Sequence, residues 1–119
     1  TNDLTGYTMA SDRGNDKVSY LYSWYYPAVL RAIKNIIVEG VKKDIMVGMC
    51  GEAAADPLLT PLLISWGMEE FSVSAPSVLR TRKAISQWTK ADADALEEQV
   101  MQLKTADEVK AALEEAARK

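Results

Sequence analysis

Apolar positions along residues 27–44 recur at the period of a helix. Val29, Leu30, Ile33, Ile36, Ile37 and Val41 fall at three- and four-residue spacing, with Arg31, Lys34, Asn35, Glu39 and Lys42 between them. One buried face is therefore expected from Pro27, whose fixed φ suits a first helical turn, to about Asp44. The pattern then changes. Ile45-Met46-Val47-Gly48-Met49 is a short apolar run closed by Cys50-Gly51-Glu52. It predicts a buried strand over Ile45–Met49 that carries a thiol at its C-terminal tip. Helical spacing returns from Pro57 to about Trp66, and Gly67 offers a C-terminal cap. Leu58, Leu59, Leu62, Leu63 and Ile64 are apolar nearly all round that segment, so cover is expected on two sides. A second strand is expected over Glu70–Ser74, then a helix from Pro76 to about Trp88. Val78, Leu79, Ile85 and Trp88 should face inward there, with Arg80, Arg82 and Lys83 outside. Helix, strand, helix, strand, helix is the order of an α/β fold, a parallel sheet with covering helices.

The two ends lack this alternation. From Thr5 to Ser23 there is little periodicity, and Asp12-Arg13-Gly14-Asn15 reads as a turn. Irregular stretches of this length are uncommon and are often functional. Tyr20, Tyr22, Trp24, Tyr25 and Tyr26 lead into Pro27 and read as an apolar clamp packing the loop onto the body. Thr1-Asn2-Asp3-Leu4 opens with no methionine and no apolar run before it, as residues just after a strand would. The N-terminus is therefore read as a cut inside a longer chain. Residues 91–119 hold no Gly and no Pro; Leu96, Val100 and Leu103 form a narrow stripe amid Asp and Glu. Thr105-Ala106-Asp107-Glu108 is a capping-box signature for a last helix ending in Arg118-Lys119. So narrow a stripe predicts an appendage resting on a larger body, without chemistry of its own.

Composition narrows the function. The 119 residues carry a formal charge of −3, and the pI near 5.0 gives no electrostatic reason to expect nucleic acid or an anionic membrane surface. No apolar run approaches the roughly 20 residues of a spanning helix. One cysteine forms no internal disulfide, which fits a reducing compartment. There is no histidine, so this segment supplies no imidazole as base, metal ligand or phosphoryl acceptor. Cys50 at its strand tip, followed by a glycine turn and a helix, has the loop geometry in which barrel and open α/β enzymes place their chemistry. A small core cysteine is the competing reading.

Thr1-Asn2-Asp3-Leu4-Thr5, Asp12-Arg13-Gly14-Asn15, Pro27-Ala28-Val29-Leu30-Arg31 and Gly48-Met49-Cys50-Gly51-Glu52 stand in an order that resembles the phosphoenolpyruvate (PEP)-utilising enzymes. Among them the chain is similar to the C-terminal part of the Enzyme I family of the bacterial sugar phosphotransferase system. The first and last of these motifs are shared with pyruvate phosphate dikinase and PEP synthase, which are the nearest alternatives. A non-catalytic α/β interaction or ligand-binding module is the alternative of another class. Gly6, Ser23-Trp24-Tyr25-Tyr26 and Ala53-Ala54-Ala55 depart from the family's usual residues; all lie at loop or support positions.

The resemblance implies the C-terminal portion of a (β/α)8 TIM barrel, about its last three βα units with the sixth strand missing. Residues 1–88 would belong to that PEP-binding barrel and residues 89–119 to a helical appendage. Ile45–Met49 would be the seventh strand and Phe71–Ser74 the eighth, with the site at the strands' C-terminal ends. The implied reaction moves the phosphoryl group of PEP to a histidine in an N-terminal domain of the same parent chain. From there it passes to a phosphocarrier protein for sugar uptake, and pyruvate is released. By the same resemblance Asp3 binds Mg²⁺ and substrate, with a second carboxylate upstream. Asn2 and Arg13 bind the phosphate, Cys50 is the general acid that protonates the enolate, and Glu52 supports it. A cytoplasmic homodimer is implied for the parent, and no phosphotransferase activity is expected of this piece alone.

Overall fold

The second helix shows how pattern becomes packing. The computed structural model describes residues 1–118. In it α1 spans Asn2–Thr8 and α2 spans Pro27–Lys42. The face of α2 made by Val29, Leu30, Ile33 and Ile37 is almost wholly buried. Ile36 and Val41, expected on that face, are about half exposed, at 49% and 52%. At 100° per residue both stand roughly 70° from the centre of the stripe, at its margins. The helix ends in a Schellman motif: Ile45 N–H donates to Gly40 O (2.9 Å) and Asp44 N–H to Val41 O (3.1 Å), with Asp44 at φ 55°. A side chain at residue 40 would put its Cβ 2.3 Å from Val47 Cγ2. Gly40 therefore lets the next segment cross close over the end of α2.

That segment forms a shorter strand than its apolar run predicts. β1 is Gly48–Met49 and pairs in parallel with β2, Glu70–Phe71, in the register Gly48 to Glu70 and Met49 to Phe71. The ladder continues by one hydrogen bond, Ser72 N–H to Met49 O (2.8 Å). The parallel pairing agrees with the alternation of elements. The predicted extents, Ile45–Met49 and Glu70–Ser74, are not reached. Each strand has one neighbour among the described residues, and Ile45 and Met46 face solvent at 59% and 68% exposure. An apolar run alone does not make a ladder.

Between the strands, α3 is Thr60–Trp66, three residues later than predicted from Pro57. Asp56 sets the delay. Its Oδ1 accepts from Leu58 N (3.0 Å) and its carbonyl from Leu59 N (3.1 Å), so residues 56–59 make an Asx turn first. Leu59, Leu62, Leu63 and Trp66 are buried against α2 and the later helices Val78–Ser86 (α4) and Lys90–Val100 (α5), the cover the all-round apolar pattern demanded. Gly67, at φ 92°, ends the helix as expected.

Two further expectations are corrected. Residues 5–8, at the start of the stretch read as lacking periodicity, belong to α1, whose Thr5 is buried; seven residues are too few to reveal a period. α4, Val78–Ser86, buries Thr81 and Ala84, while Leu79 is 78% exposed and Val78 40%. A 3₁₀ turn over Ala75–Ser77 precedes the helix and sets its rotation. At the far end, α5 (Lys90–Val100) and α6 (Ala106–Ala117) follow. Thr105 and Glu108 form the predicted capping box. Leu96, Val100, Val109 and Leu113 enter the same buried cluster as α2 and α3, and α5 lies along α3. Lys119, expected in the last helix, lies outside the described residues. No helix among the described residues is long and apolar enough to cross a membrane.

Candidate active site

The N-terminal 26 residues fold into a pocket rather than an open loop. α1 stops where Ala10 turns into the left-handed region at φ 49°. Ser11 N–H then reaches back to Gly6 O (3.0 Å) and Ala10 N–H to Tyr7 O (3.3 Å). The predicted turn over Asp12–Asn15 follows. Asp12 Oδ1 accepts from Gly14 N (2.8 Å), and Asn15 N–H donates to Asp12 O (3.0 Å). Arg13 projects from this turn with its guanidinium 6.0 Å from the centre of the Tyr22 ring. The Tyr22 hydroxyl donates to Asn2 O (3.1 Å), closing the turn back onto α1. The result is a cavity of about 450 Å³ lined by Asn2, Asp3, Arg13 and Tyr22 among others.

Two strongly polar groups sit here without protein partners. Asp3 and Arg13 are exposed and enter no ion pair among the described residues. Beside them Asn2 Oδ1 is buried with no hydrogen-bond donor. Ser11, which also lines the cavity, has its hydroxyl buried and unpartnered. Buried polar atoms normally find partners, and each exception asks for an explanation.

Cys50 adjoins this pocket from the other side. Cys50 is exposed and lies outside the buried cluster of the described residues. Its carbonyl accepts from Thr1 Oγ1 (3.0 Å) and from the Thr1 amino group (3.3 Å). Gly51 takes φ 90°, and a Cβ there would fall 2.7 Å from Thr1 Oγ1 and 3.3 Å from Asn2 Oδ1. Only glycine lets the Cys50 loop approach α1 so closely in this conformation. The structure thus gathers Asn2, Asp3 and Arg13 on one pocket and sets the Cys50 backbone against its edge. Glu52 opens a 3₁₀ turn, Glu52–Ala55; it is exposed and makes no side-chain hydrogen bond or ion pair among the described residues.

Sequence reasoning missed the polar use of the aromatics. Trp24 Nε1 (2.8 Å) and the Tyr25 hydroxyl (2.5 Å) both donate to Asp56 Oδ2, and Tyr26 donates to Tyr20 O (3.1 Å). Burial, and then the Asp56 carboxylate, push the Tyr25 phenol well above its ordinary range. Tyr20, expected in the clamp, is exposed. The clamp is as much hydrogen-bonded as apolar. The available signal was an unusual density of Tyr and Trp, whose polar tips need partners when buried.

As for a metal, the described residues contain no group of three or more potential metal-holding side chains. Asp3, a pocket carboxylate without a partner among the described residues, and the unpartnered Asn2 oxygen fit part of a Mg²⁺ shell, since that ion takes one or two protein carboxylates plus substrate oxygens.

The family model described as "PEP-utilising enzyme, PEP-binding domain" matches residues 1–90. The chain is 48% identical over 109 residues to a phosphoenolpyruvate-protein phosphotransferase of Bacillus sp. (strain S), covering 92% of this chain and 19% of the relative. The protein of the same name in Bacillus subtilis (strain 168) is 46% identical over 115 residues, 97% of this chain and 20% of the relative. That of Geobacillus stearothermophilus is 47% identical over 109 residues, covering 92% and 19%. The chain spans about a fifth of the length of these relatives. With a match that covers residues 1–90 and includes every residue of the pocket, the chain belongs to the PEP-utilising enzyme family through its PEP-binding domain.

Proposed function

We propose that this chain is part of a PEP-protein phosphotransferase and contributes the phosphate-binding and proton-donating side of its PEP site. The observation that carries the reading is the shared pocket of Asn2, Asp3 and Arg13, with the backbone of the Cys50 loop tied to Thr1 beside it. The relatives' printed names favour a protein phosphotransferase over the dikinase and synthase alternatives. On this reading residues 1–88 are the end of a (β/α)8 barrel and residues 89–119 its helical appendage. The parallel β1–β2 pair and its open edges support that barrel.

The chemistry follows from charge. Phosphoryl transfer depends mainly on positioning and charge neutralisation. Arg13 offers the phosphate a planar fork of donors, held over Tyr22. The buried end of Asn2 is its oxygen, which leaves the amide nitrogen to donate to the phosphate. Asp3 would hold Mg²⁺, which would neutralise charge on the phosphate. The bridging P–O bond breaks as the phosphoryl group passes to the acceptor histidine of the N-terminal domain. The enolate left behind takes the Cys50 S–H proton at carbon to become pyruvate, and solvent reprotonates the thiolate. The phosphorylated domain then serves the phosphocarrier protein. A cytoplasmic homodimer belongs to the same proposal.

An intact phosphotransferase carrying this chain tests it, with PEP-dependent histidine labelling and pyruvate release as readouts. Arg13→Ala should raise the PEP concentration needed for half-maximal rate, and Asp3→Ala should shift the Mg²⁺ titration. Wild-type curves for both variants would reject the site.

A further inference from the structure

Asp56 is the most heavily used carboxylate near the site, and the mechanism above gives it no task. Its Oδ2 accepts from Trp24 Nε1 and from the Tyr25 hydroxyl, and its Oδ1 from Leu58 N. All three donors are neutral, and no cation among the described residues pairs with it. A partly buried carboxylate carries a desolvation penalty that neutral donors offset only in part. What a carboxylate with three donors adds is direction.

The segments it joins are the two that carry the site. Trp24 and Tyr25 continue the stretch that holds Arg13 and that ties Tyr22 to Asn2. Asp56 ends the stretch that begins at Cys50. Between them lies one 3₁₀ turn in which Ala53 and Ala54 are fully buried. The Cys50 loop is therefore pinned at both ends, by Thr1 at Cys50 O and by the two aromatics at Asp56. Lys110 of α6, 5.8 Å from the Tyr25 ring centre, braces the node from behind.

We infer that Asp56, with Trp24 and Tyr25 as its donors, is a positioning residue that holds the Cys50 loop in register with the Arg13 segment. This rests on the PEP reading of the site. Displacement of a reacting group by about 1 Å can lower a rate by around 100-fold, so a pinned loop has a kinetic consequence.

The test is a mutant cycle in an intact phosphotransferase carrying this chain. Trp24→Phe with Tyr25→Phe keeps both rings and removes both donors. The pair should lower kcat for pyruvate release about tenfold or more and leave KM for PEP within about twofold. In a Cys50→Ala background the same pair should produce no further loss, because its effect passes through the thiol. If the double variant does not fold, Tyr25→Phe alone carries the same comparison with a smaller loss. An unchanged kcat, or an equal loss with and without Cys50, overturns the inference. Arg13→Ala and Cys50→Ala are run alongside. If both turn over PEP like wild type, the PEP reading itself fails and takes the inference with it. If both are impaired and the donor-less pair is not, only the positioning role falls.

Discussion

Residues 1–26 and residues 90–117 treat their polar groups in opposite ways. In the C-terminal pair of helices the capping and buried groups are matched. Thr89 caps α5 through Asp92 N (3.1 Å), and Thr105 and Glu108 cap α6 reciprocally. Asp94 accepts from Ser65 (2.6 Å) and Lys90 (2.5 Å). Glu97, buried between helices, accepts from Lys34 (2.6 Å) and Trp66 Nε1 (2.9 Å). In the N-terminal region Asn2, Thr5 and Ser11 bury unpartnered oxygens. Asp3 and Arg13 stand unpaired among the described residues, and Ala10 occupies a backbone region that suits glycine better. A fold satisfies its polar groups where cohesion is the only demand, and functional sites are where that consistency is given up. The contrast fits the site proposed at the N-terminal end, with the C-terminal helices as packing.

The largest effect should come from Cys50→Ala in an intact phosphotransferase. Loss of a general acid lowers rates by about 10²–10⁴, so pyruvate release should collapse while PEP binding holds. An undiminished rate would strip the Cys50 loop of its chemical role and leave only binding to the N-terminal pocket. Next, Leu113→Ala should destabilise the intact protein by about 2–5 kcal/mol, because Leu113 is buried at 1% exposure. PEP turnover at low temperature should persist, and a denaturant titration reads the difference. A selective loss of turnover without loss of stability would erase the contrast between the two ends.

Smaller changes sharpen it. Thr105→Ala removes a capping box and should lower stability by about 1 kcal/mol. Ala10→Gly relieves a left-handed backbone and should raise stability by roughly 0.5–1 kcal/mol, the opposite sign at the opposite end. Both are read as shifts in the unfolding midpoint. The smallest effects are those of pH. Backbone donation from Lys104 and Thr105 depresses the Glu108 carboxyl. Its contribution is therefore present above the ordinary carboxylate value and lost as pH falls through the lowered one. Tyr25 is raised, so its contribution is complete below the usual phenol value of about 10 and fades as pH rises toward the folded one. Tyr25→Phe should flatten the alkaline limb of the stability curve and leave the acid limb unchanged.

How much of this was legible varies with the range of the interaction. The α2 stripe, the Gly67 stop, the Asp12–Asn15 turn and the Thr105–Glu108 box were readable because each depends on residues within a turn or two along the chain. The parallel pairing was readable from the order of elements, since a crossover connection favours it. The motifs around Asn2, Arg13 and Cys50 carried the family through the identity of their residues.

What the tertiary structure alone decided is long-range. The strand run Ile45–Met49 had the right composition, yet only Gly48 and Met49 find a partner, because a ladder needs hydrogen bonds from another strand. Leu79 had the right spacing, but the packing of α4 turned Thr81 and Ala84 inward instead. Tyr25 meets Asp56 across 31 positions, and Thr1 meets Cys50 across 49. No local pattern encodes such pairs, since periodicity states only which face of an element is buried. Which carboxylate a buried Trp or Tyr will reach is settled when the elements pack and each donor must find an acceptor.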